Sequence, residues 1–426
     1  MSQTAAHLVD HVIPHVPVRQ WVLSLPIPLR VLLAAQPELV TPVLQVVQRV
    51  VERRLLGRTG LKSDEGQGGA VTLSPDTNSP VDCLCLAKGL ASGQARPARL
   101  IQRFGSAANL NIHLHCLVLD GVYRCGADGV PGFIEAGAPT DEELHALLHT
   151  VIARLMKMLT RRGVLVEDMG QTWLAEPDSD SDEARTLRPL QAAAITYRIA
   201  FGPRAGQKVL TLRGAMPRED RARQPLCADI DGFSLHAAVR VEAHDRKRLE
   251  QLCRYITRPA LSDERVQLNA AGQVELKLKT PWRDGTTHLV MSPLEFMQRL
   301  AALVPRPRLH LIRFHGVLAP NAKLRALVVP QRPPDQERPA TEAAAAAGCE
   351  AETVQAWPHR ISWARLLKRV FDIDMEHCPN CGAGELKIIA AILERPVIEK
   401  ILSHLGLDPQ PPPRGRVSET GEAWAH

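Results

Sequence analysis

Apolar and polar residues alternate most cleanly at 273–279, where Val274, Leu276 and Leu278 face one way and Glu275, Lys277 and Lys279 the other. A period of two is that of a half-buried strand. A turn at 282–285 leads into a second strand at 286–291. Ser292-Pro293-Leu294-Glu295 then reads as a helical capping box with proline in the first turn. A period near 3.6 runs through 42–56, with Val43, Leu44, Val47, Val50 and Val51, and predicts a helix. Ahead of it, Pro26 and Pro28 predict extended chain. Thr140, with Glu143 three residues on, caps a predicted helix that runs to Arg162. Further strands are expected at 70–73, within 101–123, at 209–212 and at 232–243. A helix is expected at 245–258, stopped by Pro259. The acidic stretch 176–185 reads as a solvated connector.

The same pattern divides the chain. Residues 1–62 read as an N-terminal extended and helical segment, and 63–330 as the main domain. A stretch rich in proline, glycine and serine, 74–100, interrupts that domain as an insert. Residues 331–359 read as a linker, 360–408 as a small C-terminal module and 409–426 as a disordered tail. The expected class is α+β, an antiparallel sheet with helices packed on it.

Composition narrows the setting. The chain has 426 residues, room for two or three domains, and its 45% apolar content supports real cores. Only 4% of residues are aromatic, so those cores must be aliphatic. A formal net charge of +6 is compatible with a polyanionic partner. Nine irregularly spaced cysteines predict no disulfide framework. With no secretory signal and no uninterrupted apolar span, the expectation is a cytoplasmic protein with no membrane partner.

Candidate chemistry centres on His113-Leu114-His115. On a strand the two imidazoles share one face, and they are either an ordinary hydrogen-bonded pair or two ligands of one cation. The chain has three tyrosines, of which Tyr255 lies in the helix at 245–258. Helical spacing puts Arg248, Gln251, Tyr255 and Arg258 on a polar stripe beside an apolar face of Leu249, Leu252, Cys253 and Ile256. Tyr255 is then either a tyrosine snorkelling at a helix border or a phenol nucleophile with arginines to hold a phosphate. Arg248, Arg254, Arg258, Lys277, Lys279 and Arg283 are candidate DNA contacts, and Trp282 could stack on an unpaired base. Cys378 and Cys381 have zinc-knuckle spacing; they read as half of a zinc site or as a metal-free turn.

Five blocks in order carry a resemblance: Ile-Gln-Arg-Phe-Gly-Ser (101–106), Asn-Ile-His-Leu-His-Cys-Leu-Val-Leu-Asp-Gly-Val-Tyr (111–123), Leu-Cys-Arg-Tyr-Ile-Thr-Arg-Pro (252–259), Lys-Thr-Pro-Trp-Arg-Asp-Gly-Thr-Thr-His (279–288) and Arg-Phe-His-Gly-Val-Leu-Ala-Pro (313–320). They resemble the rolling-circle transposases of insertion-sequence family ninety-one, common-region (ISCR) type, within the HUH endonuclease superfamily. The resemblance implies an HUH-type sheet and a bacterial mobile-element enzyme that nicks and rejoins single-stranded DNA at the element's ends. It implies a divalent metal, Mg or Mn, on His113 and His115, with His236 or Gln251 as a third ligand. It implies Tyr255 as the nucleophile that forms a 5′-phosphotyrosine, in a single-tyrosine version of the site. Family members carry a cysteine- and histidine-rich zinc-binding domain ahead of these blocks, which this chain is expected to lack. A relaxase or replication initiator, and a catalytically dead DNA-binding remnant, are the alternative readings. The DNA ends recognised and the oligomeric state are not legible in the residues.

Overall fold

A computed structural model describes residues 2–73, 104–105, 107–125, 129–168, 171–174, 182–214, 225–257, 261, 263–282, 284–304, 312–330, 361–377, 392, 394–404 and 406. The insert 74–100, Arg258, Arg283, the linker, Cys378, Cys381 and the tail lie outside the described residues. Two compact units emerge, one over 3–341 and one over 342–426. In the second, the described elements are the helices Trp363–Phe371 and Arg395–His404.

The first unit is built on an antiparallel sheet of seven strands. They are β1 (Val18–Ser24), β2 (Gly69–Leu73), β3 (His113–Leu119), β4 (Cys227–Ile230), β5 (Phe233–His236), β6 (Arg240–Val241) and β7 (Arg313–Gly316). Their order is β4-β5-β1-β3-β2-β7, with β6 also paired to β1. The helices that bear on the site are α1 (Ser2–His11), α2 (Ile27–Ala35), α3 (Val40–Thr59), α4 (Asp141–Arg161), α5 (Asp182–Ile195), α6 (Arg246–Ile256) and α7 (Pro293–Leu303). The expected α+β class is therefore what the chain adopts. None of these helices is long and apolar enough to cross a membrane by itself.

One face of the sheet presents Trp21, Leu23, Leu114, Cys116 and Val118, all members of the main buried cluster. Helices α3 and α4 join that cluster through residues spaced three and four apart, among them Val43, Val47, Val50 and Val51 on α3 and Leu144, Leu148, Val151 and Leu155 on α4. Thr140 and Glu143 form the expected capping box, and Arg54 crosses from α3 to Glu143 at 3.2 Å. The other face is buried as well: Val18, Val22, Val71, Leu117 and Leu119 are each 4% exposed or less. Strands buried on both faces lose the alternation of a half-buried strand.

Three sequence expectations need correction. Within 1–62, α1 opens the described chain, β1 is an inner strand of the sheet, and the chain expected to be extended at Pro26 and Pro28 runs into helix, with Pro28 in the first turn of α2. Proline is tolerated there because first-turn N–H groups lack helical partners. The strand expected at 232–243 is two short strands, β5 and β6. The acidic connector ends early, because α5 begins at Asp182.

A second antiparallel sheet runs Val266–Leu268, Val274–Lys277, Thr286–Met291, Leu210–Arg213. Val274, Leu276 and Leu278 are buried while Lys277 and Lys279 are exposed, as the alternation predicts. Ser292 and Glu295 form the second capping box, at the start of α7.

Candidate active site

Strand β3 is placed by its neighbours. Antiparallel pairing sets Ser24 opposite His113, Val22 opposite His115 and Gln20 opposite Leu117. His113 and His115 lie on one face, with ring centroids 4.8 Å apart. His115 is buried and His113 half-buried.

Both Nδ1 atoms of the pair are hydrogen-bonded, and the partners bear on the tautomers. His113 Nδ1 lies 2.8 Å from the carbonyl oxygen of Asn111. A carbonyl only accepts, so Nδ1 carries the proton, and in the neutral ring the lone pair is on Nε2. His115 Nδ1 meets the Gln20 side-chain amide at 2.7 Å. As placed, the amide nitrogen donates to Nδ1; turned end for end, the amide oxygen would accept from Nδ1–H, the tautomer in which Nε2 is the ligand atom. The donor chemistry of the pair thus fits a divalent metal.

His236 lies opposite Val22 from the far side of β1, so His115, Val22 and His236 form one row across three strands. Two strand spacings, roughly 9.5 Å, separate the two histidine backbones. Among the described residues no group of three or more His, Cys, Asp and Glu gathers in a metal-holding arrangement.

The end of β3 is locked by charge. Asp120 is 1% exposed and receives Arg19 at 3.0 and 2.8 Å and Arg240 at 2.9 Å. Arg19 also donates to the Ala237 carbonyl at 3.0 Å. The Asp-Gly of the 111–123 block is therefore more than a turn. Gly121 is required beside it, because a Cβ there would stand 2.1 Å from the Ile134 carbonyl oxygen.

Helix α6 carries the tyrosine. Asp245 caps it by accepting from the Arg248 N–H at 3.0 Å, and Thr257 closes it by donating to the Cys253 carbonyl at 2.8 Å. Leu249, Leu252, Cys253 and Ile256 are buried, Gln251 is exposed, and Arg248 and Tyr255 are half-buried between them. Glu250, which lies on neither the polar stripe nor the apolar face, is buried, with Arg254 at 3.9 Å. Arg246 donates to the carbonyls of Val9, Ile13 and Pro14, tying the helix start to the end of α1.

Of the predicted DNA contacts, Lys279 meets Tyr255, its ammonium 5.0 Å from the ring centroid. Lys277, at the end of the strand Val274–Lys277 that precedes Lys279, is exposed. Trp282 is half-buried and packs edge-on against Tyr197 at 5.0 Å, so its ring is engaged in the fold. Burial disfavours the phenolate form of the other two tyrosines. Burial pushes the Tyr123 phenol up to about 12 and raises that of Tyr197. The buried thiols are inert for the same reason, Cys116 at about 11 and Cys253 at about 12.

Sequence reading missed Gln20, Arg19 and Arg240. Each is one polar residue in or beside an apolar strand, and its partner is defined only once the register of β1 on β3 and β6 is known. A family model described as "Putative transposase" matches residues 98–325, which span both histidines, Tyr255 and Lys279. Neither the curated proteins nor the solved structures include a match to this chain.

Proposed function

The chain belongs to this transposase family, and on that premise we propose that it nicks and rejoins single-stranded DNA through a 5′-phosphotyrosine during rolling-circle transposition. The observation that carries this reading is the paired imidazoles of His113 and His115, each with Nδ1 engaged by Asn111 or Gln20. Nδ1–H donated to a carbonyl, as at His113, is the arrangement that metal-binding histidines adopt, and Gln20 offers His115 the same once its amide oxygen faces the ring. His113 and His115 would hold a divalent cation, Mg or Mn, which when bound would supply Lewis-acid polarisation of a phosphate oxygen. His236 is the nearest candidate in the same row for a third ligand.

Tyr255 is the nucleophile in this reading. Its half-buried site at the edge of α6 holds the ring while keeping an opening to solvent. Lys279, Arg248 and Lys277 supply positive charge for the DNA backbone. The partner is single-stranded DNA at the ends of the mobile element. The Asp120 network holds the end of β3, and through it the histidine strand, in one register with β1.

Incubation with labelled single-stranded DNA carrying an element end, in the presence of Mn²⁺, tests the proposal. A covalent protein–DNA adduct is expected, lost in Tyr255→Phe and reduced at least about 100-fold in His113→Ala/His115→Ala. No adduct, or one that survives Tyr255→Phe, would sink it.

A further inference from the structure

Lys279 and Tyr255 come from different parts of the fold. Tyr255 is on α6, and Lys279 opens the hairpin connection between Val274–Lys277 and Thr286–Met291. Their approach, 5.0 Å from ammonium to ring centroid, is a tertiary contact and not a consequence of helical spacing.

The hairpin that presents Lys279 is pinned. Leu278 N–H donates to Thr287 at 2.8 Å, Trp282 N–H to Thr286 at 2.9 Å and Gly285 N–H to Trp282 at 2.9 Å. Beyond the backbone, Trp282 packs on Tyr197, and the Arg299 guanidinium covers that same ring at 5.7 Å. Arg299 is 3% exposed, so the anchor lies in the interior. Two of the cations on α6 are directed elsewhere, Arg254 toward Glu250 and Arg246 toward the carbonyls after α1.

We infer that Lys279 is a catalytic residue of the tyrosine step, its ammonium holding a non-bridging oxygen of the phosphodiester that Tyr255 attacks. The inference rests on the reading of Tyr255 as nucleophile. In the step, an Oη–P bond forms and the P–O3′ bond breaks. The phenolic proton passes to water and the departing 3′-oxygen takes one up, so no oxidant or reductant is needed. Negative charge grows on the non-bridging oxygens as the phosphorus becomes five-coordinate. A fixed ammonium beside the phenol stabilises that charge more than it stabilises the bound substrate. Lys279 therefore belongs with the rate of adduct formation, whereas a lysine that only follows the backbone belongs with affinity.

The test uses the full chain, saturating labelled single-stranded DNA and Mn²⁺, with single-turnover adduct rates and dissociation constants measured side by side. Lys279→Met is expected to slow adduct formation about 100-fold while weakening DNA binding less than about threefold. Lys279→Arg, which keeps the charge, is expected to recover at least a tenth of the wild-type rate. A thermal melt of each variant separates loss of chemistry from loss of fold, and Lys279→Arg carries the decision if Lys279→Met does not fold. A wild-type rate in Lys279→Met, or equal losses of rate and binding, would overturn the lysine's role and leave Tyr255 standing. If Lys279→Arg alone folds, a rate below a tenth of wild type would overturn it too. No adduct in the wild type, or an adduct in Tyr255→Phe, would overturn the tyrosine reading and the lysine's role with it.

Discussion

Gln20 reaches His115 Nδ1 at 2.7 Å from the neighbouring strand, so the orientation of the second histidine is set by a residue ninety-five positions earlier in the chain. Hydrogen-bond partners of this kind fix the tautomer and ring orientation of a ligand. Gln20→Ala is expected to weaken Mn²⁺ binding about tenfold or more, with the fold intact. Calorimetric titration of the purified chain checks this, and an unchanged affinity would remove Gln20 from the site.

Asp120 neutralises Arg19 in the interior and also pairs the part-exposed Arg240. Removing one partner of a buried ion pair leaves uncompensated charge, so Asp120→Ala is expected to cost about 3–5 kcal/mol. Urea denaturation measures the loss. Arg19→Met combined with Asp120→Leu should cost less than Asp120→Ala alone, because the buried Arg19 charge is then not stranded and Arg240 keeps Glu135 and Glu242.

Gly316 closes β7 with φ +58°, and a Cβ on it would stand 1.8 Å from the Gly68 carbonyl oxygen. Gly316→Ala therefore forces β7 off β2. A lowered melting temperature is expected, together with proteolytic opening near 312–330. A variant as stable as the parent would show that this edge repacks freely.

His315 lies 3.3 Å from Thr72 Oγ1, and burial together with Arg313 pushes its imidazole down to about 4. The folded state therefore favours the neutral ring, and the unfolded chain, with a value near 6.5, takes up the proton first. Stability should fall as the pH drops from about 6.5 toward about 4, by up to about 3 kcal/mol from this group. His315→Gln, which can still bond Thr72, should flatten that part of the curve. Denaturation midpoints at several pH values decide it.

Legibility in the sequence followed exposure. The hairpin at 274–291 and helices α3 and α4 have one face in the core and one in water, so their periods are plain. β1 and β3 are covered on both sides, and only the histidines marked β3. β1 went unseen because its apolar run has no alternation, and α2 because its prolines mimic extended chain. Local spacing marked the histidine pair and Tyr255 as candidates, and the resemblance of the blocks around them implied their roles. Gln20 at His115 and Lys279 at Tyr255 could not be found that way, since each contact depends on strand register or on hairpin packing across the fold.

The central claim is that Tyr255 attacks the DNA, and the chain has only two other tyrosines to confuse the assignment. The most direct measurement is mass spectrometric mapping of the peptide that carries the nucleotide remnant after digestion of the protein–DNA adduct. The account predicts a phosphodiester link at Tyr255, with Tyr123 and Tyr197 unmodified. A remnant on either of those tyrosines, or on any other side chain, would contradict it.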